Sequence, residues 1–144
     1  MNHTEGAARA LFDAINTREL EGIRDLVTDG FVDHGAPPGV VPPGPDGYIA
    51  VMEFVTGVLD MRYEVHEVVA AGDFVALRAT GHGLHRSDHL GVPATGRPYA
   101  MPSMHLYRGV GDRLAEHWGV RDELSCLYQV GALTPGPLPP LASE

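Results

Sequence analysis

Apolar residues recur at two different periods along the chain, and the change of period divides it. Ala7, Leu11, Ala14 and Ile15 keep the spacing of one helix face between Thr4 and Asn16, with Thr4 placed to cap it. Leu20, Ile23, Leu26 and Val27 predict a second short helix from Arg18 to Val27, which Thr28-Asp29-Gly30 breaks. A third, richer stripe of Tyr48, Val51, Met52, Val55, Val58 and Leu59 predicts a helix from Asp46 to Asp60 whose apolar face is core. Between the second and third helices, Phe31-Val32-Asp33-His34 leads into Gly35 to Gly47, a segment with five prolines that can be neither helix nor central strand. Such a loop serves either as a lid or pocket wall or as a solvated connector.

From Arg62 the period becomes two. Tyr63, Val65, Glu67 and Val69 alternate with Arg62, Glu64, His66 and Val68, and Ala71-Gly72-Asp73 turns this strand into another from Phe74 to His82, a hairpin. Gly83 to Pro98 is a Gly- and His-rich connection. Tyr99 to Arg108 resumes strand character, with Pro102 requiring an edge or a bulge. Gly109-Val110-Gly111-Asp112 returns the chain into a last strand from Arg113 to Arg121, and Asp122 to Gln129 predicts a closing helix that Gly131 ends. Three helices, about four strands and a short helix predict an α+β domain, one curved antiparallel sheet wrapped on helices around a conical cavity. The domain spans 1–133, and the Pro-rich 134–144 is a tail.

Composition narrows the function. Nineteen Asp and Glu stand against ten Arg and no Lys, a net charge of -9, so nucleic acid and anionic membrane are poor partners. Without Lys there is no Schiff base, and no phosphate loop, dinucleotide fingerprint or nucleophile elbow is present. Cys126 is alone, which excludes an intrachain disulfide. No apolar run approaches membrane-spanning length and the N-terminus lacks an apolar signal core, so a cytoplasmic protein is expected. His82, His85 and His89 are close together, but their spacing suits a helix face and their surroundings are strand and loop, so no metal is expected.

The chemistry left is a His and Asp set on strands. In a regular strand Leu114, Glu116, Trp118, Val120 and Asp122 share one face, and Ala115, His117, Gly119 and Arg121 the other. If Trp118 points into the cavity, so does Asp122, where poor solvation would make its carboxylate a stronger base. Asp122 is equally suited to capping the last helix. A turn near Val110 and Gly111 sets Ser103 to His105 roughly opposite Glu116 to Trp118, within reach of Asp122, and ranks His105 above His117.

Leu114-Ala115-Glu116-His117-Trp118-Gly119-Val120-Arg121-Asp122, followed by Leu124, Leu127, Gln129 and Gly131, resembles the closing signature of the SnoaL-like polyketide cyclases of the NTF2-like superfamily. Phe31-Val32-Asp33-His34, Gly72-Asp73, Gly83-Leu84-His85, Gly91-Val92-Pro93-Ala94-Thr95-Gly96-Arg97 and Tyr107-Arg108 agree in order. The resemblance implies an NTF2-like cone and a ring closure by intramolecular aldol condensation without cofactor or metal, as in antibiotic biosynthesis. It implies Asp122 as catalytic acid and base, with His105 as the candidate proton donor. His34, Phe54, Leu59, His85, Met104, His117 and Trp118 are the candidates for binding a hydrophobic polyketide-like substrate, and a homodimer or homotetramer is expected. Leu84, Ala94 and the proline-rich loop depart from the family pattern and bear on the substrate. The same scaffold also hosts hydroxylases, isomerases, dehydratases and non-catalytic binding proteins.

Overall fold

The computed structural model describes residues 2–89 and 91–142. Helix α1 (His3–Thr17) is capped by Asn2, whose side chain accepts from the Glu5 N–H at 2.7 Å, two residues ahead of the expected Thr4. Its apolar stripe, Ala8, Leu11, Phe12 and Ile15, is buried. Thr4 instead packs over Gly109, where a Cβ would meet its side chain.

The second helix expected from Arg18 to Val27 is only a 3₁₀ segment, Leu20–Asp25, and Val27 already belongs to strand β1 (Val27–Asp33). β-branched and aromatic residues, Val27, Thr28, Phe31 and Val32, favour strand here, and pairing with a distant strand overrides the local helical spacing. The Thr28-Asp29-Gly30 break leaves its mark as a bulge: Val27 pairs with Leu114 but Val32 with Glu116. Helix α2 (Pro45–Glu53) opens with Pro at its first position and continues as a π-helical turn, Phe54–Val58, covering most of the stretch expected from Asp46 to Asp60.

Strands β2 (Arg62–Ala71), β3 (Phe74–Leu84), β4 (Pro98–Val110) and β5 (Arg113–Arg121) form the expected meander, and helix α3 (Glu123–Gln129) closes it. The sheet order is β1-β5-β4-β3-β2, curved and unclosed, antiparallel throughout except for the parallel β1–β5 pair that the sequence pattern does not reveal. Pro102 lies in the central β4, not on an edge strand. Its carbonyl accepts from Asp122 N–H at 2.9 Å, just past the end of β5, so its missing N–H falls where the ladder has already stopped.

Strand β4 alternates cleanly: Tyr99, Met101, Ser103, His105 and Tyr107 are buried against the helices, while Pro102, Met104, Leu106 and Val110 are exposed on the convex face. Strand β5 follows the same rule after a bulge: Arg108 pairs with Glu116 but Gly109 with Leu114, which leaves Ala115 as the extra residue. The core is the concave face of the sheet filled by α1 and α2, with Tyr48, Met52, Val55, Met61, Tyr63, Leu77 and Tyr107 among its members. Residues 134–142 are exposed and carry no regular structure. Among the described residues no helix is long and apolar enough to cross a membrane.

Candidate active site

Because the bulge at Ala115 shifts the register of β5, His117 and Gly119 share the concave face with His105: Tyr107 pairs with His117 and His105 with Gly119. Strand β1 runs parallel beside β5 and sets Asp33 opposite His117. Asp33 Oδ1 lies 2.8 Å from His117 Nδ1, His117 Nε2 lies 2.9 Å from His105 Nδ1, and His105 Nε2 lies 3.0 Å from Ser103 Oγ. Ser103 donates to the Ala79 carbonyl at 3.2 Å and ends the chain. One carboxylate, two imidazoles and a hydroxyl thus form an unbroken hydrogen-bonded line inside the cone.

His117 Nδ1–H donates to Asp33, and the tautomers of the two imidazoles set the direction of the bonds that follow, to His105 and to Ser103. His105 is 6% exposed, edge-on to Phe12 and Tyr63, and burial, with the neighbouring His117 and Arg121, pushes its pKa down to about 3. It stays neutral with both ring nitrogens engaged, and so acts on the site through His117. Burial raises the pKa of Asp33, but the hydrogen bond and charge of His117, the Gly35 N–H at 2.9 Å and the charge of Arg121 outweigh it and hold the carboxyl below its ordinary value. Both recorded bonds to Asp33 fall on Oδ1, which leaves Oδ2 without a protein hydrogen bond among the described residues.

Tyr48 and Tyr107 sit against this line, their hydroxyls 2.9 Å apart, and the Tyr107 ring stacks on His117 at 4.5 Å. Burial raises both phenols well above their ordinary value, so both remain protonated. One hydroxyl donates to the other, which leaves one O–H for an oxygen in the cavity.

Gly119 is required to be bare. A Cβ there would stand 2.9 Å from His117 Cε1, 3.0 Å from its Nε2 and 3.4 Å from His105 Nδ1, against rigid rings held on both sides. Gly119→Ala is expected to part the two imidazoles and cost about 1–3 kcal/mol of stability, read as a lowered denaturation midpoint with unchanged m-value.

Asp33, His105, His117, Tyr48, Tyr63, Tyr107 and Arg121 border one inner cavity. A second, apolar hollow of about 60 Å³ opens at the wide end of the cone between the π-helical turn, the 85–97 connection and α3, bordered by Leu59, His85, His89, Tyr99, Met101 and Cys126. That volume is less than the several hundred Å³ that a drug-sized ligand fills. A third cavity, of about 320 Å³, lies beneath the proline-rich loop and reaches Asp33 and Tyr48, so that loop is a pocket wall.

The remaining expected site residues disperse. Leu59 and His85 border the apolar mouth, where His85 Nδ1 is 3.0 Å from Thr95 Oγ1, and Phe54 tilts against His89 at 5.3 Å while half exposed. Met104 (55% exposed) and Trp118 (37% exposed) lie on the convex face, not in the cavity, and His34 stacks on Trp118 at 4.8 Å beside Glu116. Asp122 does not share the cavity either: it is exposed beyond β5, and its Oδ1 accepts from Ser125 N–H at 2.9 Å as the cap of α3. The parity that paired it with Trp118 holds, but both fall outside, because the bulge turned the other face of β5 inward. Among the described residues no three His, Cys, Asp or Glu are placed to hold a metal ion, and His82 turns away to Glu64 at 2.9 Å. Burial pushes the Cys126 thiol up to about 11, so it stays protonated. The sequence assigns Asp33, Tyr48, Tyr107 and Arg121 no functional role, although Asp33, Tyr107 and Arg121 stand in the stretches that carry the family resemblance and Tyr48 in the third apolar stripe.

Comparison with known proteins bears on what such a cone does. The chain is 24% identical over 134 residues to the aklanonic acid methyl ester cyclase DauD of Streptomyces sp. (strain C5), a match covering 90% of this chain and 82% of that one. The solved structure of IdmH from Streptomyces antibioticus, proposed as a polyketide cyclase, superposes with a TM-score of 0.78 at 33% identity, covering 90% of this chain and 99% of IdmH. AclR of Streptomyces galilaeus, proposed as a hydroxylase, has the same TM-score at 25% identity, covering 93% of this chain and 88% of AclR. Residues 5–130 match the family model described as SnoaL-like polyketide cyclase, and with that span of a 144-residue chain accounted for, this protein belongs to the SnoaL-like polyketide cyclases.

Proposed function

We propose that the protein is a cofactor-independent cyclase that closes a ring of a polyketide-like ester by intramolecular aldol condensation, with Asp33 as its proton-transfer group. The observation that carries this reading is the line Asp33–His117–His105–Ser103 inside the cone. Asp33 Oδ2 takes a proton from the carbon between the ester and a ketone. The C–H electron pair moves into an enolate, the enolate carbon attacks a second carbonyl, and the new alkoxide recovers the proton from Asp33. Substrate and product are isomers, so no electrons enter or leave.

His117, fixed by His105, orients the carboxylate and balances its charge, and the spare O–H of the Tyr48–Tyr107 pair faces the oxygen on which charge develops. Holding a flexible chain in its reactive pose contributes on the order of 7–11 kcal/mol. The test is incubation of the purified protein with aklanonic acid methyl ester, the compound named for DauD, followed by liquid chromatography with mass spectrometry and NMR of any new peak. A product of unchanged mass with one ring more is expected. A gain of one oxygen would favour hydroxylation, the reaction proposed for AclR, and recovery of unchanged ester with measurable binding would favour a non-catalytic role.

A second copy is proposed to cover the convex face. Leu106 pairs with Trp118 and Met104 with Val120 there, all four exposed, with half-exposed Phe74 beside Trp118. Trp118→Glu is expected to convert a dimer to a monomer, read by light scattering coupled to gel filtration. Unchanged mass in the variant, or a monomeric wild type, removes this assignment.

A further inference from the structure

Arg121 is the last residue of β5 and follows His117 and Gly119 onto the concave face. It is half-buried and borders the inner cavity with Asp33, Tyr63, His105 and His117. Its charge is felt by Asp33, Tyr48, Tyr63 and His105 around that cavity, and by His89 and Tyr99 at the apolar mouth.

Arg9, Arg24, Arg78, Arg86 and Arg108 each pair with a carboxylate and Arg18 donates to the Ile15 carbonyl, whereas Arg62, Arg97, Arg113 and Arg121 have neither ion pair nor side-chain hydrogen bond among the described residues, and of these four Arg121 is the one that borders the inner cavity. A half-buried guanidinium that borders a cavity and makes no hydrogen bond leaves its donors to a ligand.

We propose that Arg121 is a substrate-binding residue that selects a planar, anionic oxygen pair, the enolate of a 1,3-dicarbonyl or the equivalent vinylogous acid. This rests on the reading of the cone as a site for enolisable polyketide-like substrates, and names what such a substrate presents. The guanidinium is a rigid fork of parallel N–H donors whose spacing suits two oxygens of one delocalised anion. When Asp33 removes the carbon-bound proton, the electron pair is delocalised onto these oxygens beside Arg121. The substrate's apolar rings then extend into the mouth bordered by Leu59, Tyr99 and Met101.

Binding of 2-hydroxy-1,4-naphthoquinone, ionised at pH 7, is compared by calorimetry with its neutral 2-methoxy ether. The wild type is expected to bind the anion at least tenfold more tightly. Arg121→Met is expected to lose the preference and Arg121→Lys to keep part of it, each with a cooperative melt showing that it folds. Equal affinities in the wild type, no anion binding at millimolar concentration, or a preference that survives Arg121→Met would overturn the assignment. A preference that disappears with Arg121 in a protein that cyclises no ester would leave this subsite standing and reject the catalytic reading.

Discussion

Asn in place of Asp33 is expected to slow ring closure by about 10²–10⁴-fold, the usual worth of a positioned acid–base group. The amide retains the Oδ1 acceptor that holds the Gly35 N–H and His117 Nδ1–H, so the local geometry survives. Its nitrogen replaces Oδ2, the one carboxylate atom without a protein partner, and cannot accept a proton. Losing the negative charge beside His117 is expected to cost stability as well, on the order of 1–3 kcal/mol. Initial rates at saturating substrate and thermal melts of the same preparations separate the two effects. Asp122→Asn is the matched control: that side chain is exposed and serves the α3 cap, so its rate should stay near wild type. Wild-type kcat in Asp33→Asn, or loss of activity in Asp122→Asn, would move the chemistry out of the Asp33 line.

The contrast between these two aspartates shows what the chain's pattern reveals and what it conceals. Alternation along Tyr99–Arg108 and Arg113–Arg121, with glycines between, marks two strands of a hairpin, and both exist. Which face of β5 turns inward depends on register, and register depends on one residue. The turn near Gly111 predicts His105 on the same face as Glu116 and Trp118; the bulge at Ala115 instead pairs His105 with Gly119 and brings His117 in. Nothing local marks Ala115 as a bulge, where two successive residues, Leu114 and Ala115, are both buried.

Strand β1 was concealed for a different reason. Asp29 and Gly30 interrupt its apolar run, and the ladder that makes it a strand comes from residues more than 80 positions away. Asp33 becomes a site residue only through that pairing. The fold was legible because helical stripes and strand alternation are local. Of the site only His105 and His117 were legible, because a bulge and a long-range parallel pair are what bring Asp33 to them.

Lowering the pH from about 6.5 is expected to destabilise the protein well before its carboxylates titrate. His105 is neutral in the fold with its pKa pushed down to about 3, whereas an unfolded histidine protonates near 6.5. The folded-state value is the lower one, so the contribution to stability is complete above about pH 6.5 and is lost as pH falls toward 3. The slope is about 1.4 kcal/mol per pH unit, and the whole window is worth on the order of 5 kcal/mol. The groups facing His105 set this shift: its own burial first, then the charges of His117 and Arg121, with Asp33 opposing them. Asp33, also held below its ordinary value, adds a further loss only near and below pH 4. The diagnostic interval is therefore pH 6.5 to 5. His89 is lowered too and contributes a slope of its own there, so the decisive quantity is the difference between wild type and His105→Gln. Urea midpoints across this interval should fall steeply for the wild type and distinctly less for the variant. Parallel slopes would mean that His105 takes up its proton without unfolding the cone, and that the line from Asp33 to Ser103 carries a charge on its second imidazole.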